Sequence, residues 1–243
     1  MFWSYHFFLR SSRKVSGIPV IFVPGSSGSV EQIRSIGSIL HNKTENRNSP
    51  FSFDVFGIDF NQELSGISGM YLERQIRFLR LAVDKIWNMY SPQPVGLIFV
   101  GHSMGGIIIR SLFYSHDFDL SRISLAITLA TPHSAPPFVF DYYMERFYEK
   151  MRLEWKERAE QIKNITVISI SGGLKDILVP EHLTQDSGIH HFSTTSIDTV
   201  EVEVDHLCIV WCNQLQRYFF ILLNSILNLF IYLFILMNNN VNK

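Results

Sequence analysis

Val95 to Phe113 reads VGLIFVGHSMGGIIIRSLF, and the fold turns on this stretch. Val95 to Val100 is an uninterrupted apolar run of the length and kind a fully buried strand needs. It passes straight into Gly101-His102-Ser103-Met104-Gly105-Gly106, and a second apolar run, Ile107 to Phe113, begins at once with helical character. A strand meeting a helix with no linker requires a sharp turn. The spacing Gly101-x-Ser103-x-Gly105 supplies one, because a side chain at either glycine would collide with the neighbouring strand or helix. The serine at the apex then holds its hydroxyl clear of the sheet, the arrangement of a nucleophile elbow. The bare pattern arises by chance in many chains; its flanks make it specific here.

Working outward, apolar runs alternate with helical stretches, the pattern of a mostly parallel sheet covered by helices on both faces. Ile18 to Val23 is a strand closed by Pro24-Gly25-Ser26-Ser27-Gly28, and a helix follows through about Leu40. Asn42 to Ser49 reads as an exposed loop and Phe53 to Phe60 as the next strand. Tyr71 to Tyr90 carries Leu72, Ile76, Leu79, Val83 and Ile86 at helical spacing and is stopped by Ser91-Pro92. Ile123 to Ala130 and Ile165 to Ser171 are further apolar strands, separated by an aromatic and charged helical insert over Phe138 to Ile162. Thr199 to Val204 alternates polar and apolar, as a half-exposed strand near the sheet edge should. The expected fold is therefore α/β, of the α/β-hydrolase type, with residues 17–217 as the catalytic domain, the insert as a helical cap, residues 1–16 as an extension and residues 218–243 as an apolar tail.

A serine hydroxyl needs a histidine to remove its proton and a carboxylate to hold that histidine in the right tautomer. On this fold the chain order is Ser, acid, His. Asp176 follows the strand Ile165 to Ser171 through a short loop, and His206 follows the last expected strand by two residues, so Ser103, Asp176 and His206 form the candidate triad. The helix N-terminus after the serine favours an oxyanion, with the backbone N–H of Met104 as one donor and that of Ser26, in the loop after the first strand, as the other. That glycine-serine loop lacks the Gly-Lys-Ser/Thr ending of a phosphate-binding loop. Among rivals, His133 precedes every later acid and is expected to shape the substrate cleft. His182, His190 and His191 lie in a loop-like stretch as surface histidines, Asp205 adjoins His206 and is badly placed to orient it, and His102 packs the elbow. His206, Cys208 and Cys212 fall short of a zinc ligand set, so neither metal nor cofactor is expected.

The 243 residues suffice for one domain with a closed core, and an 18% charged fraction with a formal net charge of −1 argues against disorder and against nucleic acid. Two cysteines make no disulfide framework. Asn42-Lys43-Thr44 and Asn164-Ile165-Thr166 both fit the glycosylation pattern, the second at the expected start of a buried strand. Met1 to Arg10 is too short to span a bilayer and lacks the order of a signal peptide. Tyr218 to Met237 is uncharged over twenty residues and reaches membrane-helix length, yet the buried last helix of the domain explains it too, and Asn224 and Asn228 are costly in hydrocarbon unless paired.

Six blocks together resemble the GPI inositol-deacylases of the endoplasmic reticulum: Gly17 to Ser38, Phe53 to Tyr90 with its Asp-Phe-Asn-Gln-Glu core, Val100 to Phe113, Thr128 to Trp155 including LATPHSAPP, Gly172 to Thr184, and Asp205 to Leu215. The resemblance implies hydrolysis of the acyl ester on the inositol of a glycosylphosphatidylinositol anchor at the luminal face of the membrane. The GPI lipid or GPI-anchored proteins would then be the substrate, and membrane lipid the surroundings. It places Ser103 as nucleophile and matches Asp176 and His206 to the other triad positions. It ends at Leu215, and because family members begin with a membrane span and continue into further membrane helices, it implies a truncated member. Ser26 stands where the family commonly has asparagine, which leaves the backbone donor intact. A general lipase or esterase with the same machinery, or a hydrolase fold that binds lipid or a protein without turnover, are the alternatives.

Overall fold

The computed structural model describes residues 6–9, 15–46, 51–115 and 117–226. Seven strands form one sheet: β1 (His6–Leu9), β2 (Ile18–Val23), β3 (Phe53–Asp59), β4 (Leu97–His102), β5 (Ile123–Leu129), β6 (Thr166–Ser171) and β7 (His190–Ser193). The strand order is β1-β3-β2-β4-β5-β6-β7. All neighbours pair in parallel except β1, which runs antiparallel to β3 with His6 opposite Asp59 and Leu9 opposite Phe56. The helices are α1 (Ile33–Asn46), α2 (Gly69–Trp87), α3 (Met104–Leu112), α4 (Tyr142–Glu157), the short α5 (Ala159–Ile162) and α6, described over 213–226.

Strand side chains alternate between the two faces, and both faces are apolar, as a parallel sheet covered on each side requires. Val20 and Phe22 of β2 and Ile98 and Val100 of β4 meet Ile33, Ile36 and Leu40 of α1 and Leu215, Phe219 and Leu223 of α6. Their alternates, Ile21, Val23, Leu97 and Phe99, meet Leu72, Leu79 and Val83 of α2, Ile107 and Ile108 of α3, and Met144 and Met151 of α4. Each such side chain contributes about 1.5–3 kcal/mol by leaving water. The helix α2 shows how the sequence selects its face: Leu72, Gln75, Leu79, Val83 and Ile86 are buried at helical spacing, while Glu73, Arg74 and Arg77 stay exposed. All nine residues of α3 are buried, which explains its lack of polar periodicity.

Four expectations change. Asn42 to Asn46, expected to begin an exposed loop, continues α1, with Thr44 buried and its hydroxyl donating to the Leu40 carbonyl at 2.9 Å. Thr199 to Val204 is not a strand. Thr199 and Glu201 have φ of 71° and 43°, which no ladder accepts, and one bond from the Val204 N–H to the Gly172 carbonyl (2.9 Å) ties the segment down. Its alternation records burial, since Val200 and Val204 are core residues, and burial does not need pairing. The sheet edge is instead β7, so His190 and His191 lie on a strand, with His191 Nε2 and Thr184 Oγ1 2.9 Å apart. The segment before Gly17, read as an extension, adds β1 to the other edge.

The insert expected as a cap reaches the cleft only through its first residues. Asp141 caps α4 by accepting from Met144 N–H at 2.7 Å, and Met144, Tyr148, Met151 and Trp155 pack into the core. The candidate membrane segment Tyr218 to Met237 is described as far as residue 226, where Phe219, Phe220 and Leu223 are buried in the domain; the rest lies outside the described residues. Among the described residues no helix is long and apolar enough to cross a membrane.

Candidate active site

Ser103 sits between β4 and α3 with φ 52° and ψ −125°, a conformation that costs a non-glycine residue about 1–3 kcal/mol. Its backbone is pinned from three sides. Ser103 N–H donates to the Leu129 carbonyl (2.8 Å), while its own carbonyl accepts from Gly106 N–H (3.1 Å) and from Thr131 Oγ1 (2.9 Å). The steric argument for the glycines holds: a Cβ on Gly105 would stand 2.1 Å from the Val23 carbonyl oxygen. Gly25 matters as much, since a Cβ there would lie 2.6 Å from Ser103 Cβ and 3.0 Å from the His102 carbonyl oxygen. The loop after β2 therefore lies directly against the serine.

Asp176 and His206 come together from loops that follow β6 and β7. His206 Nδ1–H donates to Asp176 Oδ2 at 2.9 Å, and Asp176 Oδ1 accepts from the N–H groups of Leu178 (3.1 Å) and Val179 (2.9 Å). The carboxylate is 3% exposed, so its orientation is fixed by these partners. With Nδ1 donating, the neutral ring keeps its lone pair on Nε2, the form that accepts a proton. Asp205 does something else: its Oδ1 accepts from Leu207 and Cys208 N–H and shapes the turn after His206.

Ser103, Met104, Ser26 and His206 all line one cleft of about 810 Å³ at the carboxyl edge of the sheet. Ser26 is held by its side chain, whose Oγ accepts from Gly66 N–H at 2.9 Å, and Ser27 N–H donates to the Glu63 carbonyl at 2.9 Å. Glu63 is in turn fixed by Arg74 and Gln75, both 3.3 Å from its carboxylate. This clamp gives the Asp59 to Glu63 run a role that reading the sequence did not assign.

One histidine departs from its expected role, and another does more than expected. His133 does not shape the cleft; it is fully buried beneath it, with Nε2 2.8 Å from Thr128 Oγ1 and its carbonyl accepting from Arg110 Nη1 at 3.0 Å. Burial, with Arg110 and His191 nearby, pushes its pKa well below the usual histidine value. Arg110 itself is 1% exposed, stacks 4.1 Å over the Trp155 ring and lies 2.7 Å from Asp186 Oδ2, a buried network with no sequence signal. His102 does pack the elbow, and it also donates from Nε2 to the His206 carbonyl at 2.8 Å. Burial first, then the neighbouring His206, lowers its pKa to about 4. Among the described residues no three His, Cys, Asp or Glu side chains gather as a metal site.

The family described as PGAP1-like alpha/beta domain matches residues 14–226. The GPI inositol-deacylase of Mus musculus is 37% identical over 224 residues, covering 87% of this chain and 24% of that protein. Those of Rattus norvegicus and Aspergillus fumigatus are 38% and 30% identical, with 87% of this chain covered in each case and 24% and 21% of those proteins. The chain thus spans about 24% of the length of the mammalian relatives it matches. Among solved structures, Bacillus licheniformis lipase BlEst2 superposes with a TM-score of 0.56 at 16% identity, covering 90% of this chain and 97% of that one. The Pyrococcus furiosus esterase Pf2001 does so at 0.57 and 13%, covering 91% of each chain. Those two likenesses establish the α/β-hydrolase fold, and the first set establishes the lineage: this chain belongs to the PGAP1-like alpha/beta domain family.

Proposed function

We propose that this chain is a serine ester hydrolase that removes the acyl chain from the inositol of glycosylphosphatidylinositol anchors, with Ser103, Asp176 and His206 as its triad. The observation that carries this reading is the strained Ser103 opening into the same cleft as His206, whose Nδ1–H is held by buried Asp176. The substrate follows from the relatives called GPI inositol-deacylase. By the same reasoning the domain works at the luminal face of the endoplasmic reticulum membrane, on GPI lipid or GPI-anchored proteins.

In this mechanism His206 Nε2 takes the Ser103 hydroxyl proton as Oγ attacks the ester carbonyl. The oxyanion that forms is met by the backbone N–H groups of Met104, at the start of α3, and of Ser26. His206 then gives the proton to the departing inositol oxygen. Water, deprotonated by the same ring, releases the fatty acid and restores the serine. Ser103→Ala abolishes labelling by a fluorophosphonate probe and release of acyl chain from inositol-acylated anchors. Labelling that persists at another serine overturns the assignment, and equal release from glycerolipids makes the chain a general lipase.

A further inference from the structure

The chain holds two acceptor tripeptides for N-linked glycans, and the fold treats them differently. Asn42-Lys43-Thr44 lies inside α1. Thr44 is buried there, and its hydroxyl donates to the Leu40 and His41 carbonyls at 2.9 and 3.0 Å, so the group a transferase must read is engaged by the helix itself. Asn164-Ile165-Thr166 is placed otherwise. Asn164 sits in the turn between α5 and β6, which Ile165 N–H closes on the Ile162 carbonyl at 2.9 Å, and Thr166 is the first residue of β6. The sequence puts the start of a buried strand here, yet burial begins one residue past the tripeptide, at Val167. Asn164 and Thr166 are both exposed, while Ile165 between them packs against the core. Among the described residues no hydrogen bond engages the Asn164 amide or the Thr166 hydroxyl.

Resting on the luminal placement proposed above, we infer that Asn164 carries an N-linked glycan and that Asn42 does not. The donor in that compartment is an oligosaccharide held on a lipid pyrophosphate. The Asn164 amide nitrogen bonds to the anomeric carbon of the first sugar, the bond from that carbon to the pyrophosphate oxygen breaks, and the lipid pyrophosphate leaves; one amide proton passes to the transferase. Such a transfer needs the amide and the hydroxyl two residues on within reach of an enzyme, and the finished fold must have room for a large polar group. Asn164 meets both conditions. The two tripeptides also differ in when they close. The bonds of α1 are local and form within about a microsecond, whereas β6 is fixed only when it finds β5 across a long loop, which keeps Asn164 open longer on an emerging chain. Its position spares the cleft. β4, β5 and β6 run parallel, so the start of β6 lies at the sheet edge opposite the one where Ser103 follows β4. Six residues of strand, about 20 Å at 3.3 Å each, separate the two edges.

The test uses the full chain behind a cleavable secretion signal in cultured animal cells, and the native protein from its own cells. Migration before and after an amide-cleaving glycosidase reads the glycan, and loss of the signal peptide reads entry into the lumen. The fused chain shows one glycosidase-sensitive step, which Asn164→Gln and Thr166→Val remove and which Thr166→Ser and Asn42→Gln keep. Valine retains the shape and strand preference of threonine and deletes only the hydroxyl, so loss of the step in that variant is not a failure to fold. A signal-cleaved chain without the step, or a step that Asn42→Gln removes and Asn164→Gln keeps, overturns the inference at the site. A native protein without the step beside a modified fused chain overturns it through the luminal placement, so the two readings fail separately. Fluorophosphonate labelling of Ser103 is the same with and without the glycan; labelling that appears only after its removal overturns its position away from the cleft.

Discussion

Replacing Asp176 by asparagine changes the charge and one donor while keeping shape, and the geometry says which way the amide must face. Asp176 Oδ1 accepts from both Leu178 and Val179 N–H groups. An asparagine that turned its NH2 toward them would leave two N–H donors facing a donor, at about 1–3 kcal/mol each. Its oxygen therefore stays in place and its NH2 meets His206 Nδ1, which must then accept. The ring shifts its proton to Nε2, the nitrogen needed to take the serine proton, and catalysis loses its base. A wrong-tautomer substitution of this kind lowers kcat on the order of 10⁴-fold, about 5 kcal/mol of transition-state stabilisation. Folding stability changes far less, because the backbone bonds survive. The assay is kcat on an acyl ester together with the fluorophosphonate labelling rate, alongside a urea unfolding curve. Activity within tenfold of the parent would refute the tautomer argument; an equal loss of activity and of the folded state would make Asp176 a structural residue instead.

Three further outcomes are expected. Gly25→Ala places a methyl group 2.6 Å from Ser103 Cβ and against backbone that cannot yield, so labelling of Ser103 slows on the order of a hundredfold and stability drops about 1–3 kcal/mol; an unchanged labelling rate contradicts the close approach. His102 is kept neutral by burial with a pKa of about 4, so the unfolded chain binds a proton below pH 6.5 that the folded chain refuses until about pH 4. Stability is therefore level above pH 6.5 with respect to this group and falls by up to about 1.4 kcal/mol per pH unit as pH drops towards 4; buried His133 steepens the loss, and a urea midpoint that does not move between pH 7 and pH 5 refutes both. Thr131→Val deletes the hydroxyl bond to the Ser103 carbonyl, which still accepts from Gly106 N–H, so stability drops about 1 kcal/mol and kcat changes only a few-fold; a hundredfold loss would mean that Thr131 alone holds the strained serine.

What the sequence reveals of this fold is what short-range sterics and burial determine. β4 could be read because all six of its residues are buried and the elbow that ends it admits no side chain at Gly105. The stretch 199–204 misleads because alternation reports which side chains face a core, and Val200 and Val204 do face one, while pairing depends on backbone angles that Thr199 and Glu201 lack. β7 is invisible for the complementary reason. His-His-Phe-Ser at a sheet edge is half exposed and has no apolar signature, and only its register beside β6, with Ser171 opposite Ser193, makes it a strand.

The triad candidates were legible from chain order, because each loop leaving the carboxyl edge of a parallel strand delivers its residues to the same rim. What surrounds them was not, since it depends on which loops touch. Glu63 is forty residues from Ser103 in the chain, yet its carbonyl receives Ser27 N–H while its carboxylate is gripped by Arg74 and Gln75, so it fixes the loop that lies against Ser103. His102 offers the same lesson at the opposite range. Its place beside the serine suggests packing alone, but the bond from Nε2 to the His206 carbonyl joins the end of β4 to the loop that carries His206. The strain at Ser103 is thus held within a frame that also ties down the loop carrying His206, so the fold itself holds both residues on which the proposed mechanism rests.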